Sequence, residues 1–275
     1  MESKEIYNKA KRFVEELDED MYPETIEYFE ELIGDSEQDD LIFPNKRLIA
    51  SELCDTDKLV DLTPELIDFI TELYMDDIQI GNSEAMNDLG AQYYDGHRGF
   101  EQSFENAIKY YKMAAMRGNR QAQENLGYCY YYGRDGEVNY EKAYHYFVLG
   151  ALDGHLISLY KIGDMYLNGY YVEKNEAEAF HIYMRCIETM TPEAEGEVAG
   201  PVYLRLGKMF FNGFGTEKDL MAALTCYQKA ERYLYSMVVD DGNYMYKKSL
   251  QGAIEGQEKV RKEMTEKIKD KNWID

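Results

Sequence analysis

The sequence is poor in positive charge and in long apolar runs, and both shortages exclude classes of protein. Its 275 residues hold 30 Lys and Arg against 53 Asp and Glu, a net charge of −23. Nucleic-acid binding needs a basic surface to neutralise phosphates, so this charge argues against it. No apolar run approaches the roughly 20 residues of a membrane-spanning helix, so we expect no membrane association. The first residues lack the apolar core of a secretory signal peptide.

Cysteine and proline are also sparse. The four cysteines, Cys54, Cys129, Cys186 and Cys226, are far apart and form no Cys-x-x-Cys pair. Disulfide frameworks are dense and belong to small secreted chains, so we expect reduced, mostly buried thiols in a cytoplasmic protein. Five prolines and 21 glycines in a chain that is 45% hydrophobic suit a folded, helical protein.

The strongest positive signal is an internal repeat. The dipeptide Leu89-Gly90 recurs as Leu126-Gly127, Ile162-Gly163 and Leu206-Gly207, and these glycines are 37, 36 and 44 residues apart. An aromatic residue follows each glycine by three positions and a second glycine by six. An alanine follows 16 or 17 positions on, with another aromatic four residues beyond it. The first glycines are Gly90, Gly127, Gly163 and Gly207, and the second are Gly96, Gly133, Gly169 and Gly213.

Each copy predicts two helices joined by a turn. Ala85, Leu89 and Tyr93 have the i, i+4, i+8 spacing of one helical face. A glycine inside a helix costs about 1 kcal/mol relative to alanine, so the first glycine indicates close approach of a second helix. The second glycine suits a left-handed residue that ends the first helix. Residues that favour the N-cap precede the second helices: Ser103, Asn139, Asn175 and Asp219.

The repeat therefore predicts an all-α fold, an α/α solenoid formed as a right-handed superhelix of helix-turn-helix repeats. The order of residues in the copies is similar to that of the Sel-one-like repeat, a relative of the tetratricopeptide repeat. The order is Leu-Gly, Tyr, then Lys-Ala, an aromatic and Ala-Ala before Gly-Asn or Gly-His. The resemblance covers about residues 83–237 and is specific for the fold. Some secreted members of that family carry a cysteine pair in each repeat. This chain does not, so the resemblance does not extend to their activities.

We expect three regions along the chain. Residues 1–82 form an acidic helical region with 24 acidic and 7 basic residues, a net charge of −17, and it ends in a possible degenerate repeat. Four repeats follow at 83–119, 120–155, 156–190 and 201–237. Residues 238–275 form a C-terminal capping helix, which solenoids need, or alternatively a coiled-coil-like arm for dimerisation. The helices predicted in the first region are Ser3–Leu17, Pro23–Ile33, Pro44–Leu53 and Pro64–Met75.

No catalytic motif is present. The sequence has no Gly-rich phosphate loop, His-Glu-x-x-His helix or Gly-x-Ser-x-Gly elbow. His145 and His181 share a repeat position, but a closed metal site needs three or four ligands. We therefore expect no enzyme, no metal and no cofactor.

The resemblance implies that the first helix of each repeat lines a groove. Positions offset by two from the buried face would then point into it. An alternative is that the aromatics among them fill repeat-to-repeat packing. However, Tyr130, Tyr131 and Tyr132 cannot all face the core, because consecutive helical residues diverge by about 100°. The predicted groove residues are Asn87, Tyr94, Glu124, Tyr128, Tyr131, Tyr160, Asp164, Leu167, Lys208 and Phe211.

The leading functional hypothesis is a non-enzymatic scaffold that holds a protein or peptide in this groove. Aromatic side chains in the groove would provide affinity, as they do at interface hot spots. The alternative is an acidic inhibitor or immunity-type protein that binds a basic protein partner through its N-terminal region. A solvated acidic surface without a partner would show the same charge.

Overall fold

The computed structural model describes residues 3–17, 27–28, 46–54, 62–97, 99–240 and 242–270, and every regular element within these ranges is helical. A π-helical turn at Ser236–Asp240 and a 3₁₀ turn at Tyr244–Tyr246 precede the last helix. The helices are α1 (Ser3–Leu17), α2 (Lys46–Cys54), α3 (Pro64–Gln79), α4 (Ser83–Asp95), α5 (Phe104–Ala115), α6 (Arg120–Tyr131), α7 (Tyr140–Leu152), α8 (Leu156–Asn168), α9 (Glu176–Glu188), α10 (Pro192–Asn212), α11 (Leu220–Tyr235) and α12 (Lys247–Asp270).

The N-terminal predictions are mostly close to these bounds. The first predicted helix has the observed ends, and the helix predicted to end at Met75 continues for one more turn to Gln79. The predicted helix at 23–33 lies outside the described residues except for 27–28, and Trp273 lies outside them as well.

The chain divides into two compact units, residues 1–139 and 140–275. Unit 1 contains α1 to α6. Its N-terminal core includes Phe13 and Phe69, whose ring centroids lie 5.6 Å apart, together with the buried Ile6 and Ile49.

Unit 2 contains α7 to α12 and has two apolar clusters. Tyr183, Val202 and Leu206 belong to a cluster built from α8, α9, α10 and α11. Tyr227, Leu234 and their neighbours form the second cluster with α12.

Three of the four first glycines, Gly90, Gly163 and Gly207, are points of close helix packing, as predicted. In unit 1, a Cβ added to Gly90 of α4 would lie 2.8 Å from the Tyr111 ring of α5. In unit 2, a Cβ on Gly163 would lie 2.7 Å from the Tyr183 ring. Real Cβ atoms essentially never come this close, so only glycine allows these helices to approach.

The turns of the repeats are confirmed as well, and so are three of the four predicted N-caps. The four second glycines have φ angles between 62° and 74°, the left-handed conformation that L residues rarely adopt. The side chain of Ser103 accepts a hydrogen bond from the Asn106 N–H, and that of Asn175 accepts one from the Glu178 N–H. Asp219 caps α11 in the same way. These helix pairs form the predicted all-α repeat solenoid.

The last helix, α12, packs onto α10 and α11 within unit 2. Ala253, Gly256 and Val260 of α12 are buried. Gly256 lies against the Tyr227 ring so closely that a Cβ would not fit. Gly207 of α10 approaches the same ring, with a would-be Cβ 2.9 Å away. Tyr227 therefore lies between two glycines, and α12 packs by the contact that the repeats use internally.

Candidate binding surfaces

The end of α6 in unit 1 carries a cluster of tyrosines. The ring of Tyr132 stacks on Tyr128 at 6.1 Å and meets Tyr131 edge-on at 5.0 Å. Tyr130 is buried, Tyr131 is half-buried and Tyr132 is 50% exposed. Adjacent residues on a helix point in different directions, so three consecutive tyrosines cannot all enter the core. The cluster therefore presents aromatic surface to solvent, and Tyr132 belongs to it although the sequence analysis did not select it.

A second aromatic group in unit 1 surrounds Tyr94. Its ring meets Phe104 edge-on at 5.3 Å. The Arg134 guanidinium lies 4.7 Å from the Phe104 ring centroid, and its Nε donates a 3.4 Å hydrogen bond to the Tyr94 hydroxyl. Tyr94 is thus half-buried and held by its own neighbours.

Polar contacts join the helices of unit 1. The Asn125 amide of α6 donates a 3.0 Å hydrogen bond to the side-chain oxygen of Asn87 on α4. Arg47 of α2 pairs with Asp88 and with Glu84, each at 2.9 Å. The predicted groove residue Asn87 therefore takes part in helix packing and remains partly accessible.

A buried carboxylate anchors the start of α2. Oδ2 of Asp77 accepts hydrogen bonds from the Arg47 backbone N–H at 3.0 Å and from the Asn82 amide at 3.4 Å. Its Oδ1 is buried without a hydrogen-bond partner. Burial raises the pKa of Asp77 above its ordinary value, although the hydrogen bond from Arg47 opposes the shift.

Unit 2 has a charged network centred on the buried carboxylate of Asp164. Arg205 of α10 donates from Nε and Nη2 to the two oxygens of Asp164 on α8, the second bond at 2.6 Å. The Tyr183 hydroxyl donates a 2.7 Å hydrogen bond to the same carboxylate. Lys161 lies 3.9 Å from it. The Arg205 guanidinium also covers the Tyr160 ring at 4.9 Å.

The contacts in this network shift the pKa values of Asp164 and Arg205. Burial alone would raise the pKa of Asp164, but the charge and hydrogen bonds of Arg205, helped by Lys161 and Tyr183, outweigh it and hold the pKa below its ordinary value. Burial would likewise lower the pKa of Arg205, and Asp164 raises it instead. The pair is therefore ionised throughout the physiological range.

Three of the ten predicted groove residues are buried. Glu124, Tyr160 and Asp164 are only 3%, 3% and 6% exposed, so they do not offer the surface that the two-position offset predicted. That offset treats each first helix as having one neighbour. Asp164 instead follows Gly163, where the Tyr183 ring approaches from α9 and Arg205 covers the site from α10. The remaining seven are half-buried or exposed: Asn87, Tyr94, Tyr128, Tyr131, Leu167, Lys208 and Phe211.

Nothing in the described part of the chain forms a metal-binding cluster of three or more His, Cys, Asp or Glu residues. His145 and His181 are both exposed. All four cysteines are buried free thiols, and burial raises the pKa of Cys129 and of Cys186 to about 12. These thiols are therefore protonated at neutral pH.

Helix pairs joined by left-handed glycines and closed by aromatic–glycine contacts define a helical repeat protein. A family model described as Sel1 repeat matches residues 83–119, 120–155, 156–183 and 201–232. The chain belongs to the Sel1-repeat family. Proteins of this family are typically non-catalytic scaffolds for protein–protein interaction. None of the described helices has the length and apolar character needed to cross a bilayer.

Solved structures show the same fold. A Sel1 repeat protein from Oxalobacter formigenes is 24% identical with a TM-score of 0.54, and the match covers 68% of this chain and 72% of that one. The protective antigen c5321 of uropathogenic Escherichia coli, which displays an SLR fold, is 17% identical with a TM-score of 0.58. That match covers 95% of this chain and 54% of the antigen. A search of curated proteins found no match.

Proposed function

We propose that the chain is a non-enzymatic scaffold that binds a protein or peptide segment on the first helices of its repeats. The observation that carries the proposal is the tyrosine cluster at the end of α6, formed by Tyr128, Tyr131 and Tyr132. Membership of a family of interaction scaffolds supports it. The four buried thiols support a cytoplasmic location, where cysteines stay reduced.

The cluster has the properties of an interface hot spot. Tyrosine offers a large contact area with only two side-chain torsions, so little conformational entropy is lost on binding. The rings of Tyr128 and Tyr131 already pack on Tyr132, so part of that entropy is lost before a partner arrives. The same contacts keep Tyr132 50% exposed and leave Tyr128 and Tyr131 partly accessible.

Unit 2 contributes different groups. Leu167 and Phe211 are half-buried and Lys208 is exposed. These residues combine apolar area with positive charge, which suits orienting a partner more than anchoring it.

The test compares two double variants. Peptides are selected on the wild-type chain from a random library displayed on phage, and the affinity of the best binder is measured by fluorescence anisotropy. Tyr128→Ala/Tyr131→Ala should weaken binding at least about tenfold, or about 1.4 kcal/mol, because two anchors are lost. Tyr128→Phe/Tyr131→Phe should retain most of it.

The matched control is Tyr235→Ala/Tyr244→Ala, which removes two exposed tyrosines, 53% and 66% accessible, from unit 2. Its affinity should stay within about twofold of wild type. If the α6 variant binds as tightly as the control while its circular dichroism is unchanged, the tyrosine cluster is not the binding surface.

A second candidate function is the binding of a basic protein partner by the acidic N-terminal region. It is supported by the ion pairs that basic residues form among the first 80 residues. Four of the seven, Lys9, Arg12, Lys46 and Arg47, form ion pairs within unit 1. The net charge of −17 in this region would attract a basic partner. Decalysine would associate with the chain, and raising the salt from about 50 to about 300 mM would weaken it strongly. An affinity for decalysine that does not change with salt concentration would argue against this second function.

A further inference from the structure

One surface of unit 2 is rich in cations although the chain as a whole is strongly acidic. The residues are contributed by α10, α12 and the turn before α11, and all are exposed or half-buried. We call them the cationic patch. They are Arg205, Lys208, Lys218, Lys259 and Lys267.

Two carboxylates contact the patch, and each is shared by two cations. Asp164 is bound by Arg205 and approached by Lys161, as described above. Glu263 of α12 accepts from Lys218 at 2.8 Å and from Lys267 at 3.3 Å. These two groups of three residues therefore each retain a net positive charge.

Lys208 and Lys259 add two further positive charges to the patch. Lys208 lies one turn beyond Arg205 on α10, and no carboxylate in the described residues forms an ion pair with it or with Lys259 of α12. Burial lowers the pKa of Lys208, and the nearby charges of Arg205 and Lys259 lower it further, whereas Asp164 opposes them. Geometry gives the same placement, because Lys218 contacts Phe211 of α10 and Glu263 of α12. Lys208 and Lys259 each lie about one helical turn from those two residues, so they occupy adjoining parts of α10 and α12.

An apolar element lies beside the charges. The Lys218 ammonium lies 4.9 Å from the ring centroid of Phe211, which is half-buried at the end of α10. Phe211 follows Lys208 by three residues, so both lie on the same side of the helix. A partner that reaches Lys208 therefore also meets an aromatic side chain.

We propose that the cationic patch binds an acidic segment of a protein or peptide partner, whose Asp and Glu side chains pair with Lys208 and Lys259. This proposal rests on the scaffold function and names the chemistry of its partner. At physiological salt the Debye length is about 8 Å, so local cations decide what binds here, and the distant acidic residues are largely screened. Carboxylates supplied by a partner would neutralise the two unpaired lysines.

The experiment measures the binding of fluorescein-labelled decaglutamate, amidated at its C-terminus so that only side chains supply carboxylates. We expect the wild-type chain to bind it despite its charge of −23, and more weakly as salt rises. Lys208→Glu/Lys259→Glu should weaken binding at least about tenfold. Lys208→Gln/Lys259→Gln, which removes charge without adding any, should give an intermediate loss.

The control is Lys174→Glu/Lys229→Glu, which makes the same charge change at exposed sites outside the patch and should bind within about twofold of wild type. Thermal melts by circular dichroism confirm that each variant is folded. Equal losses in the patch variant and the control, or no decaglutamate binding by wild type, would overturn the proposal. The scaffold function would then still stand or fall on Tyr128→Ala/Tyr131→Ala, since those residues lie in unit 1.

Discussion

The two units differ most at a single repeat position, the residue just before each Leu-Gly or Ile-Gly dipeptide. Unit 1 has Asp88 and Asn125 there, and unit 2 has Lys161 and Arg205. In unit 1, Asp88 pairs with Arg47 and Asn125 bonds to a second asparagine. In unit 2, both residues are cations directed at Asp164.

The difference shows which part of the repeat carries the fold. The glycine and its aromatic contact are the same in both units. A Cβ added to Gly90 would lie 2.8 Å from the Tyr111 ring, and one added to Gly163 would lie 2.7 Å from the Tyr183 ring. Helix spacing is thus determined by the glycine. The preceding position can then change from acid to base, which makes similar helix pairs chemically different.

Removing Arg205 should have the largest effect. Arg205→Met removes both guanidinium hydrogen bonds from the buried Asp164 carboxylate and leaves it only the Tyr183 hydroxyl and the more distant Lys161. Losing one partner of a buried ion pair costs about 3–5 kcal/mol in comparable sites. Asp88→Asn in unit 1 should cost less than about 1 kcal/mol, because its partner Arg47 keeps Glu84. Urea denaturation followed by circular dichroism gives both values. Arg205→Met/Asp164→Leu should recover most of the loss, and a double variant as unstable as the single one would contradict a charge effect.

Alanine at the first glycines should have a smaller effect. Gly163→Ala should lower the free energy of unfolding by about 1–3 kcal/mol, because its Cβ would overlap Tyr183. Gly90→Ala should cost less, since no hydrogen bond to a buried carboxylate fixes the Tyr111 ring as Asp164 fixes Tyr183. Gly196 of α10 has open space around a would-be Cβ, so Gly196→Ala should stabilise by about 0.5–1 kcal/mol. Equal losses at all three sites would refute the packing explanation.

The smallest effect is a difference in pH dependence between two aspartates. The pKa of Asp77 is raised in the folded chain, so protonated Asp77 stabilises the fold. This contribution to the free energy of unfolding is lost as pH rises above about 3.9. The pKa of Asp164 is lowered, so its contribution is present above about 3.9 and is lost as pH falls below it.

The two Asp→Asn variants should therefore differ in the direction of their pH dependence. As pH rises from about 3 to about 7, the free energy of unfolding of Asp77→Asn should increase relative to wild type, and that of Asp164→Asn should decrease. Urea midpoints across this range measure both. Parallel curves for the two variants would show that their environments do not differ as described.

Much of the fold could be predicted because it repeats. The glycine pairs and the caps at Ser103, Asn175 and Asp219 recur at fixed spacing, and each has a local physical cause. Gly256 was missed because α12 shares none of that spacing, although it makes the same contact with Tyr227.

The candidate site could be predicted only in part, because its exposure depends on more than one neighbour. Tyr128 and Tyr131 followed from their helical offset, and both are partly accessible. Asp164 had the same offset, yet side chains from two other helices cover it. One signal was present in the sequence: Lys161 and Arg205 share a repeat position near a lone aspartate, which suggests a shared ion pair.

Helix α10 is longer than the corresponding first helices of the other repeats. It has 21 residues, whereas α4, α6 and α8 have 13, 12 and 13. The surplus of eight or nine residues equals about 2.2 to 2.5 turns at 3.6 residues per turn. Because this is not a whole number of turns, the chain enters α10 from a different side than it enters the shorter helices. A designer who lengthens another first helix and wants to keep its direction of entry should instead add residues in multiples of seven, which is close to two turns.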